Sequence, residues 1–247
     1  MVSDLIDSYP DTFAVIQHHI QDGYQTNWGN DRADYYTDYL LLPWFQYDGL
    51  FDAWPYYTYE SKLITRQAVP TDLHVDIMVQ EIRANTYEVI GQFCVEADGT
   101  GKMARLYAAQ VLDNWPASPS YSRNTFKQAG ETVDVELLPG LCAYWSWQFT
   151  LDADSQAQVE DVKFAVWAQE PLPLGPAEVY QAKMIAYPFS EPCPADVNTD
   201  GIVNIDDLFQ VLGAWGTCDD CPEDVNDDGL VDIDDIFDIL AAWGPCP

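Results

Sequence analysis

Residues 193–207 read CPADVNTDGIVNIDD and residues 221–235 read CPEDVNDDGLVDIDD, so one acidic pattern occurs twice at an offset of 28 residues (221 minus 193). Each copy places oxygen-bearing side chains at positions 1, 3, 5, 9 and 12 of a twelve-residue loop, with glycine at position 6. This is the ligand spacing of a calcium loop, in which a short backbone supplies the six or more oxygens that a hard cation requires. Repetition of the whole spacing argues against an isolated surface turn.

The spacing assigns ligands in both loops and predicts two bound Ca²⁺ ions. Position 7 would ligate through its backbone carbonyl, position 9 directly or through water, and position 12 would close the shell. Position 12 is aspartate, a shorter arm than the usual glutamate, so closure requires a tighter loop. The predicted ligands are, in the first loop, Asp196, Asn198, Asp200, Ile202, Asn204 and Asp207, and, in the second loop, Asp224, Asn226, Asp228, Leu230, Asp232 and Asp235.

An apolar stripe at helical spacing follows each loop. The stripes end at Gly216 and Gly244, and a proline two residues before each loop argues against a preceding helix. Since neither helix can bury its apolar face alone, we expect the two helices to pack together, with Val203 and Val231 joining the loops in a short β-bridge. The stripes consist of Leu208, Val211, Leu212 and Trp215, and of Ile236, Ile239, Leu240 and Trp243.

The duplicated loop–helix unit from Cys193 to Pro247 resembles the dockerin family. The resemblance implies a small all-α, calcium-folded module that attaches a secreted protein to a cohesin-like protein domain. In that family, loop positions 10 and 11 help to read the partner. Here they are Ile205-Asp206 and Ile233-Asp234 rather than a hydroxyl pair, which leaves the identity of the partner open. Phe209 and Phe237 would present equivalent partner faces; the alternative is that they widen the apolar stripe of the core.

The chain is strongly acidic, with a formal net charge of −31 from 41 acidic and 10 basic residues. This charge excludes a nucleic-acid backbone as a partner. The segment after Glu191 contains no Lys, Arg or His, so we expect it to fold only when calcium offsets its carboxylates. No secretory leader and no membrane span are visible. Since the dockerin resemblance implies a secreted protein, we expect a secreted or cell-surface protein whose N-terminus is truncated in this sequence.

Six cysteines, four of which frame the acidic repeats, indicate an oxidising compartment. Within one repeat, the cysteine before the loop and the one after the helix are about 16 Å apart along the helix. A disulfide spans only about 4.4–6.8 Å between Cα atoms. We therefore expect the pairs Cys193–Cys246 and Cys218–Cys221. A redox role for the CxxC at 218–221 is disfavoured because flanking aspartates oppose a thiolate; a four-cysteine zinc site is a further, equally disfavoured alternative.

Residues 1–66 read as a helix end at 2–9, a buried strand at 12–19, a helix at 31–39 and a strand at 44–47. This order, with Pro43 before the last strand, is similar to the middle of the thioredoxin-like region of secreted bacterial proteins, including outer-membrane lipoproteins. The resemblance implies a truncated thioredoxin-like α/β segment, because no cysteine precedes Cys94. A redox role would require a Cys-x-x-Cys encoded upstream.

His18 and His19 suggest a metal or catalytic site, but adjacent strand residues point to opposite faces of a sheet. Without a bulge they cannot serve one site. We interpret them as a satisfied strand end.

Residues 70–190 show the short alternating strands and turn signals of an immunoglobulin-like antiparallel β-sandwich. Cys94 and Cys142 share one strand parity, which favours a cross-strand disulfide over two free thiols. The chain is thus expected to be multidomain α+β, with domains at 1–66, 70–190 and 193–247. The predicted strands are 73–80, 87–96, 103–112, 132–137, 143–151, 162–168 and 179–187.

The function that these patterns favour is calcium-stabilised protein–protein attachment outside the cell. The alternatives are an accessory or enzymatic component of polysaccharide degradation, or a carbohydrate-binding sandwich. No catalytic constellation is visible, so the sequence does not identify an enzyme. Trp145 and Trp147 lie on the apolar parity of their strand and are expected in the core, so Trp115-Pro116 is the better candidate for stacking on a sugar, against ordinary loop packing.

Overall fold

The computed structural model describes residues 2–10, 12–20, 22–36, 46–52, 56–117, 122–189, 193–198, 202–218, 221–226 and 228–246. Within these ranges the fold is α+β, with mostly antiparallel sheets and short helices. The chain divides into two compact units, Met1–Phe189 and Ser190–Pro247, which we describe separately. A boundary inside the first unit at residues 66–70 stays a prediction. None of the described helices has the length and apolar character needed to cross a bilayer.

The first unit begins with helices and a two-stranded hairpin. Leu5 of the first helix and Leu63 of the third pack with Phe13 and Tyr47 in one buried cluster. The sequence predicted the first helix and residues 31–36 of the second, but not its first four residues and not the third helix; residues 37–39 of the predicted helix lie outside the described residues. The elements are α1 (Val2–Ser8), α2 (Asn27–Tyr36), β1 (Gln46–Tyr47), β2 (Phe51–Asp52) and α3 (Tyr59–Gln67).

The strand predicted at 12–19 is wrong. This segment is extended, but only Gln17 makes a bridge, parallel to Thr125. The bridge consists of Gln17 N donating to Asn124 O at 3.0 Å and Phe126 N donating to Gln17 O at 2.9 Å. The apolar alternation that suggested a strand instead buries Phe13 and Val15 against the helices. Pro43 and the first half of the strand predicted at 44–47 lie outside the described residues, and the second half is β1 (Gln46–Tyr47).

Two antiparallel sheets form the body of the first unit. The three-stranded sheet has the order β3-β4-β8, and the five-stranded sheet has the order β10-β9-β5-β6, with β7 also paired to β5. Their strands are β3 (Leu73–Arg83), β4 (Thr86–Val95), β5 (Lys102–Leu112), β6 (Thr125–Ala129), β7 (Val133–Leu137), β8 (Cys142–Thr150), β9 (Val162–Gln169) and β10 (Val179–Ala186). A short helix, α4 (Ala153–Ala157), follows β8.

One core joins the two sheets. Phe93 and Phe149 from the three-stranded sheet pack in the same buried cluster as Leu106 and Phe164 from the five-stranded sheet. Alternate residues of β3 are buried, which is the pattern of a strand with one face on a core. Sheets that share a core through their inner faces have the packing that a β-sandwich requires.

All seven predicted strands of this region are present, with end shifts of up to three residues. The sequence missed β6, whose five residues include Lys127 and Gln128 and give little apolar alternation. Trp147 is buried as predicted, but Trp145 is 42% exposed. The prediction for Trp145 is wrong because the first half of β8, at the edge of its sheet, is exposed on both faces and only its second half buries alternate residues.

The second unit consists of two helices and two small strand pairs. The helices α5 (Ile205–Gly213) and α6 (Ile233–Ala241) place Val211 and Ile239 in one buried cluster. The strands β11 (Ile202–Val203) and β13 (Leu230–Val231) do not pair with each other. Instead, β11 pairs with β14 (Gly244–Pro245) and β13 pairs with β12 (Gly216–Thr217). The predicted direct bridge between Val203 and Val231 is therefore wrong, because each loop strand takes the segment after the opposite helix as its partner.

The predicted apolar stripes are only partly buried. Val211 and Ile239 are fully buried, whereas Leu212, Trp215, Leu240 and Trp243 are exposed. The prediction is wrong for these four residues, because the core of this small unit consists of compact side chains and does not include the larger ones. Its buried members are Ala195, Val197, Val203, Val211, Val231 and Ile239.

Three disulfides join the six cysteines, and all three predicted pairs are confirmed. Cys94 and Cys142 are direct register partners on β4 and β8. Cys193 pairs with Cys246, and Cys218 pairs with Cys221. The two pairs of the second unit correspond under the 28-residue offset, as expected for an internal two-fold repeat.

Candidate functional site

The acidic loops of the second unit each end in a capped helix. In the second loop, Asp232 is the N-cap of α6, and its Oδ1 accepts a hydrogen bond from Asp234 N at 2.8 Å. Asp235 completes a capping box, because its Oδ2 accepts from Asp232 N at 2.7 Å. Asn204 and Asp207 form the same capping box on α5. Predicted ligand positions 9 and 12 therefore start both helices.

Oxygen side chains of the second loop turn inward onto the loop backbone. Asp224 Oδ1 accepts from Asp228 N at 3.1 Å, and Asp224 Oδ2 accepts from Gly229 N at 2.7 Å. Asn226 Oδ1 also accepts from Asp228 N, at 2.9 Å, and Asp228 Oδ1 accepts from Leu230 N at 2.9 Å. Gly229 has φ +88°, a conformation that favours glycine, which accounts for glycine at position 6. The predicted ligands thus surround one short turn.

Position 12 is the most unusual place for a charge in this unit. Both Asp207 and Asp235 are fully buried. Asp235 Oδ1 accepts from Val225 N at 2.8 Å and from Asn226 N at 3.3 Å, in addition to the capping bond. Asp207 accepts from Asn198 N at 3.1 Å and from Asn204 N at 2.8 Å. These donors are neutral, and the segment after Glu191 contains no cationic side chain to offset either carboxylate.

The first loop is described in part. Asp200 and Gly201, at positions 5 and 6, lie outside the described residues, as does the connecting Asp227 of the second loop. The carbonyl of Ile202, at position 7, accepts from the side-chain amide of Asn204 at 3.1 Å. Asp196 and Asn198 are at the loop start, as the sequence predicted, with Ala195 and Val197 buried beside them.

The donor set fits a calcium ion in its chemistry. A carboxylate offers about four lone-pair positions, so two N–H bonds to Asp207 and three to Asp235 leave acceptor capacity at both positions. The groups are oxygens of the type that calcium prefers. Within the described ranges, no three His, Cys, Asp or Glu side chains already converge as a metal site.

A second feature of this unit is a pair of exposed apolar helix faces. Phe209 and Phe237 are 61% and 59% exposed, so they do not widen the core. Their neighbours at equivalent positions of the two repeats are also exposed. The faces consist of Ile205, Phe209 and Leu212 of α5 with Trp215 just after it, and of Ile233, Phe237 and Leu240 of α6 with Trp243 just after it.

The first unit contains a contact that the sequence reasoning missed. His19 Nδ1 lies 2.6 Å from Asp22 Oδ2, and the i, i+3 spacing of these residues was the available signal. His18 is half-buried and packs against Trp28 and Phe126, at ring distances of 5.5 and 5.1 Å. Since residues 12–19 do not form a strand, the interpretation of the two histidines as a strand end is wrong.

The candidate for sugar stacking is packed rather than open. Lys127 Nζ lies 3.6 Å from the centre of the Trp115 ring, and Tyr24 contacts the same ring edge-on at 5.1 Å. A carbohydrate platform requires an open ring face, so this geometry favours ordinary loop packing for Trp115.

No protein-family model matches the chain, and no curated protein matches its sequence. Among solved structures, it is similar to HBP35 of Porphyromonas gingivalis, with a TM-score of 0.45 and 14% identity over 54% of this chain and 47% of that one. It is also similar to a domain of the outer membrane lipoprotein Omp28 from the same organism, with a TM-score of 0.34 and 11% identity over 48% of this chain and 90% of that one. The chain thus spans about half the length of HBP35 (47%). At these TM-scores and identities, the likenesses carry no argument about function.

Proposed function

We propose that the second unit is a calcium-dependent docking module of the dockerin type, which attaches this chain to a cohesin-like protein domain. The observation that carries the proposal is the duplicated exposed apolar face on α5 and α6. Large apolar side chains rarely remain exposed together on a small domain unless they bind a partner. Helix faces of this kind bind apolar grooves.

Calcium would be held by the loop oxygens named above, two ions in all. The ion supplies positive charge to a segment that has 14 acidic and no basic residues between Cys193 and Pro247. The residues at position 12, Asp207 and Asp235, belong both to the predicted ligand sets and to the capping boxes at the start of α5 and α6. Metal binding would therefore fix the start of each helix and, through it, the apolar face.

The partner should combine an apolar groove with a basic rim. Asp206 and Asp234 are exposed beside the apolar faces at the first turn of each helix, and Asp238 is exposed within α6. Basic residues on the partner would complement these carboxylates and speed the encounter.

Calorimetric titration of the full chain with Ca²⁺, after chelator treatment, tests the metal step. The expected result is two bound ions; no heat and no change in helix content would refute calcium dependence. For the docking step, a Phe209→Ser/Phe237→Ser double variant should lose binding to an immobilised cohesin-type domain. Leu174→Ser is the matched control, because Leu174 is equally exposed (66%) but lies in the first unit. Equal loss in both variants would contradict the assigned surface.

We also propose an extracellular or cell-surface location, an immunoglobulin-like topology for the sheets and a thioredoxin-like origin for residues 1–66. The location is supported by three disulfides that leave no described cysteine free. The topology is supported by antiparallel strands on a shared core. The third assignment is supported by the order of α1, the extended segment, α2 and the β1–β2 hairpin. Mass spectrometry of unreduced protein recovered from culture medium tests the location: intact disulfides are expected.

A further inference from the structure

The first unit contains a large cavity, of about 1820 Å³, whose wall includes residues of α2 and of the neighbouring strands β9 and β10. Ligand cavities are typically about 300–1,000 Å³, so this volume accommodates an extended molecule. Four cationic side chains line the cavity: Arg32, Arg66, Lys102 and Lys183.

Three of these cations are paired with carboxylates on the same wall. Arg66 Nε lies 2.6 Å from Asp48 Oδ2, Lys102 contacts Asp72, and Lys183 Nζ lies 3.9 Å from Asp76 Oδ1. Arg32 differs, since it makes no ion pair with any residue in the described part of the chain. In a protein with 41 acidic residues, a cation that pairs with no carboxylate of the described residues is a specific arrangement.

The surroundings of Arg32 are aromatic and neutral. Its guanidinium lies 4.8–5.9 Å from the ring centres of Trp28, Tyr35, Tyr36 and Tyr107. It donates to Tyr36 Oη at 2.7 Å, to Tyr107 Oη at 3.4 Å and to Gln169 Oε1. Three of its five N–H groups are used in these bonds, both of those on Nη2 and one on Nη1, so within the described residues the Nε–H and the second Nη1–H remain. Either of them can donate a charged hydrogen bond to a carboxylate oxygen.

The same wall offers a hydrogen-bond acceptor. The side chain of His19 is only 8% exposed, and its Nδ1 is paired with Asp22 Oδ2. Its Nε2 is buried and has no partner among the described residues. Because an anionic carboxylate holds the Nδ1 proton, Nε2 is left as an acceptor. A ligand that reaches both groups would carry a carboxylate and, elsewhere along its length, an N–H or O–H donor.

We propose that this cavity binds an organic carboxylate with an extended apolar body, whose anionic end pairs with Arg32 among the aromatic rings of α2 and β5. This chemistry occurs both in the C-terminal end of a peptide and in a fatty acid. The residues that line the site belong to the first unit.

Titration calorimetry of the full chain with N-acetyl-Phe-Phe and with decanoate tests the proposal, with the methyl ester of each as a neutral control. At least one acid should bind, and its ester should bind about tenfold or more weakly, which is the worth of a charged hydrogen bond. Preference for the dipeptide, which has N–H donors for His19, would identify a peptide end; preference for decanoate would identify a lipid-type ligand. Binding of neither acid, or equal binding of acid and ester, would overturn the proposal.

Variants locate the contact. Arg32→Gln should weaken binding of the acid by about tenfold or more, and Lys183→Gln, which removes one charge from the same cavity where it is already paired, should leave it unchanged. Equal weakening by both would show general attraction of anions and contradict a specific site. If Arg32→Gln does not fold, Arg32→Lys keeps the charge but not the planar guanidinium that lies among the rings, and it should still bind measurably more weakly. Unchanged affinity in Arg32→Lys would equally count against the proposal.

Discussion

Replacement of Asp235 by asparagine separates the two roles that position 12 would play. Asp235 is fully buried and accepts three backbone N–H bonds, from Val225, Asn226 and Asp232. Asparagine keeps the shape and one acceptor oxygen, but its amide nitrogen cannot accept. At least one buried N–H therefore loses its partner, which costs about 1–3 kcal/mol. This cost arises with or without calcium.

The calcium contribution adds to that cost only if Asp235 is a ligand. With free calcium at about 100 times the dissociation constant, one site stabilises the folded state by about 2.7 kcal/mol. Two sites would then contribute about 5 kcal/mol to the natural chain, and one site about 3 kcal/mol to Asp235→Asn. The variant should thus lose stability in chelator and lose more in calcium.

Hydrogen exchange measured by mass spectrometry can follow this unit within the full chain. The protection of amides in α5 and α6, compared between fixed free calcium and chelator, gives the calcium increment for each variant. Asp207→Asn should reproduce the effect in the first repeat. Asp238→Asn, which changes an exposed carboxylate of α6 outside the loop, should leave the increment unchanged. If Asp235→Asn loses the same stability in both conditions, Asp235 only caps the helix and the calcium assignment fails at that position.

Three further predictions concern the cross-links and the buried charges. Replacing Cys193 and Cys246 by serine removes a disulfide that spans a sequence separation of 53. In urea titrations, the free energy of unfolding of the second unit should fall by about 4 kcal/mol. An unchanged value would mean that the disulfide does not restrict the unfolded chain. Burial, Arg32 and His19 lower the pKa of His18 to about 3, so stability should fall by roughly 1 kcal/mol per pH unit below about 6.5, where the unfolded state takes up the proton first. A His18→Phe variant should lose this slope in urea titrations between pH 7 and 4. Although burial opposes its ionisation, hydrogen bonds from Arg123 and Lys163 hold the pKa of Asp113 well below its usual range. Asp113→Asn should cost about 3–5 kcal/mol at pH 7 because it removes the buried carboxylate that both cations share, and the difference should shrink as the pH falls below about 4.

The sequence predicted the sheets well because alternation is a direct record of burial. In β3, residues 73, 75, 77 and 79 face the core, and all four are apolar in the sequence. The cross-strand pair of Cys94 and Cys142 followed from parity as well. The segment at 12–19 shows the limit of this reasoning. Its alternation is genuine, since Phe13 and Val15 are buried, but a strand also requires a neighbouring strand to pair with, which local sequence does not report.

In the candidate site, the sequence specifies which oxygen-bearing residues share a loop, and their role as calcium ligands stays a prediction. It did not predict the exposure of the apolar residues. Spacing fixes which side chains share a loop, so the inward turn of Asp224 and Asp228 follows from local geometry. Whether Trp215 and Trp243 are buried depends on how much volume two nine-residue helices can enclose. A unit of this size buries a smaller share of its surface than a large domain does. Helical periodicity alone therefore overestimated the core.

Charge and exposure in the second unit lead to one common requirement. Fourteen carboxylates between Cys193 and Pro247 repel one another, and two of them, Asp207 and Asp235, are buried without a cation. Two disulfides restrain the unfolded chain, but they do not remove this repulsion. The apolar faces of α5 and α6 add a second unfavourable exposure. A bound cation would offset the repulsion between the carboxylates, and a bound partner would cover the apolar faces. Because Asp207 and Asp235 lie in the first turns of the helices that carry these faces, cation binding should favour partner binding. Calcium and partner binding are therefore expected to be linked, each increasing the affinity for the other by the same factor.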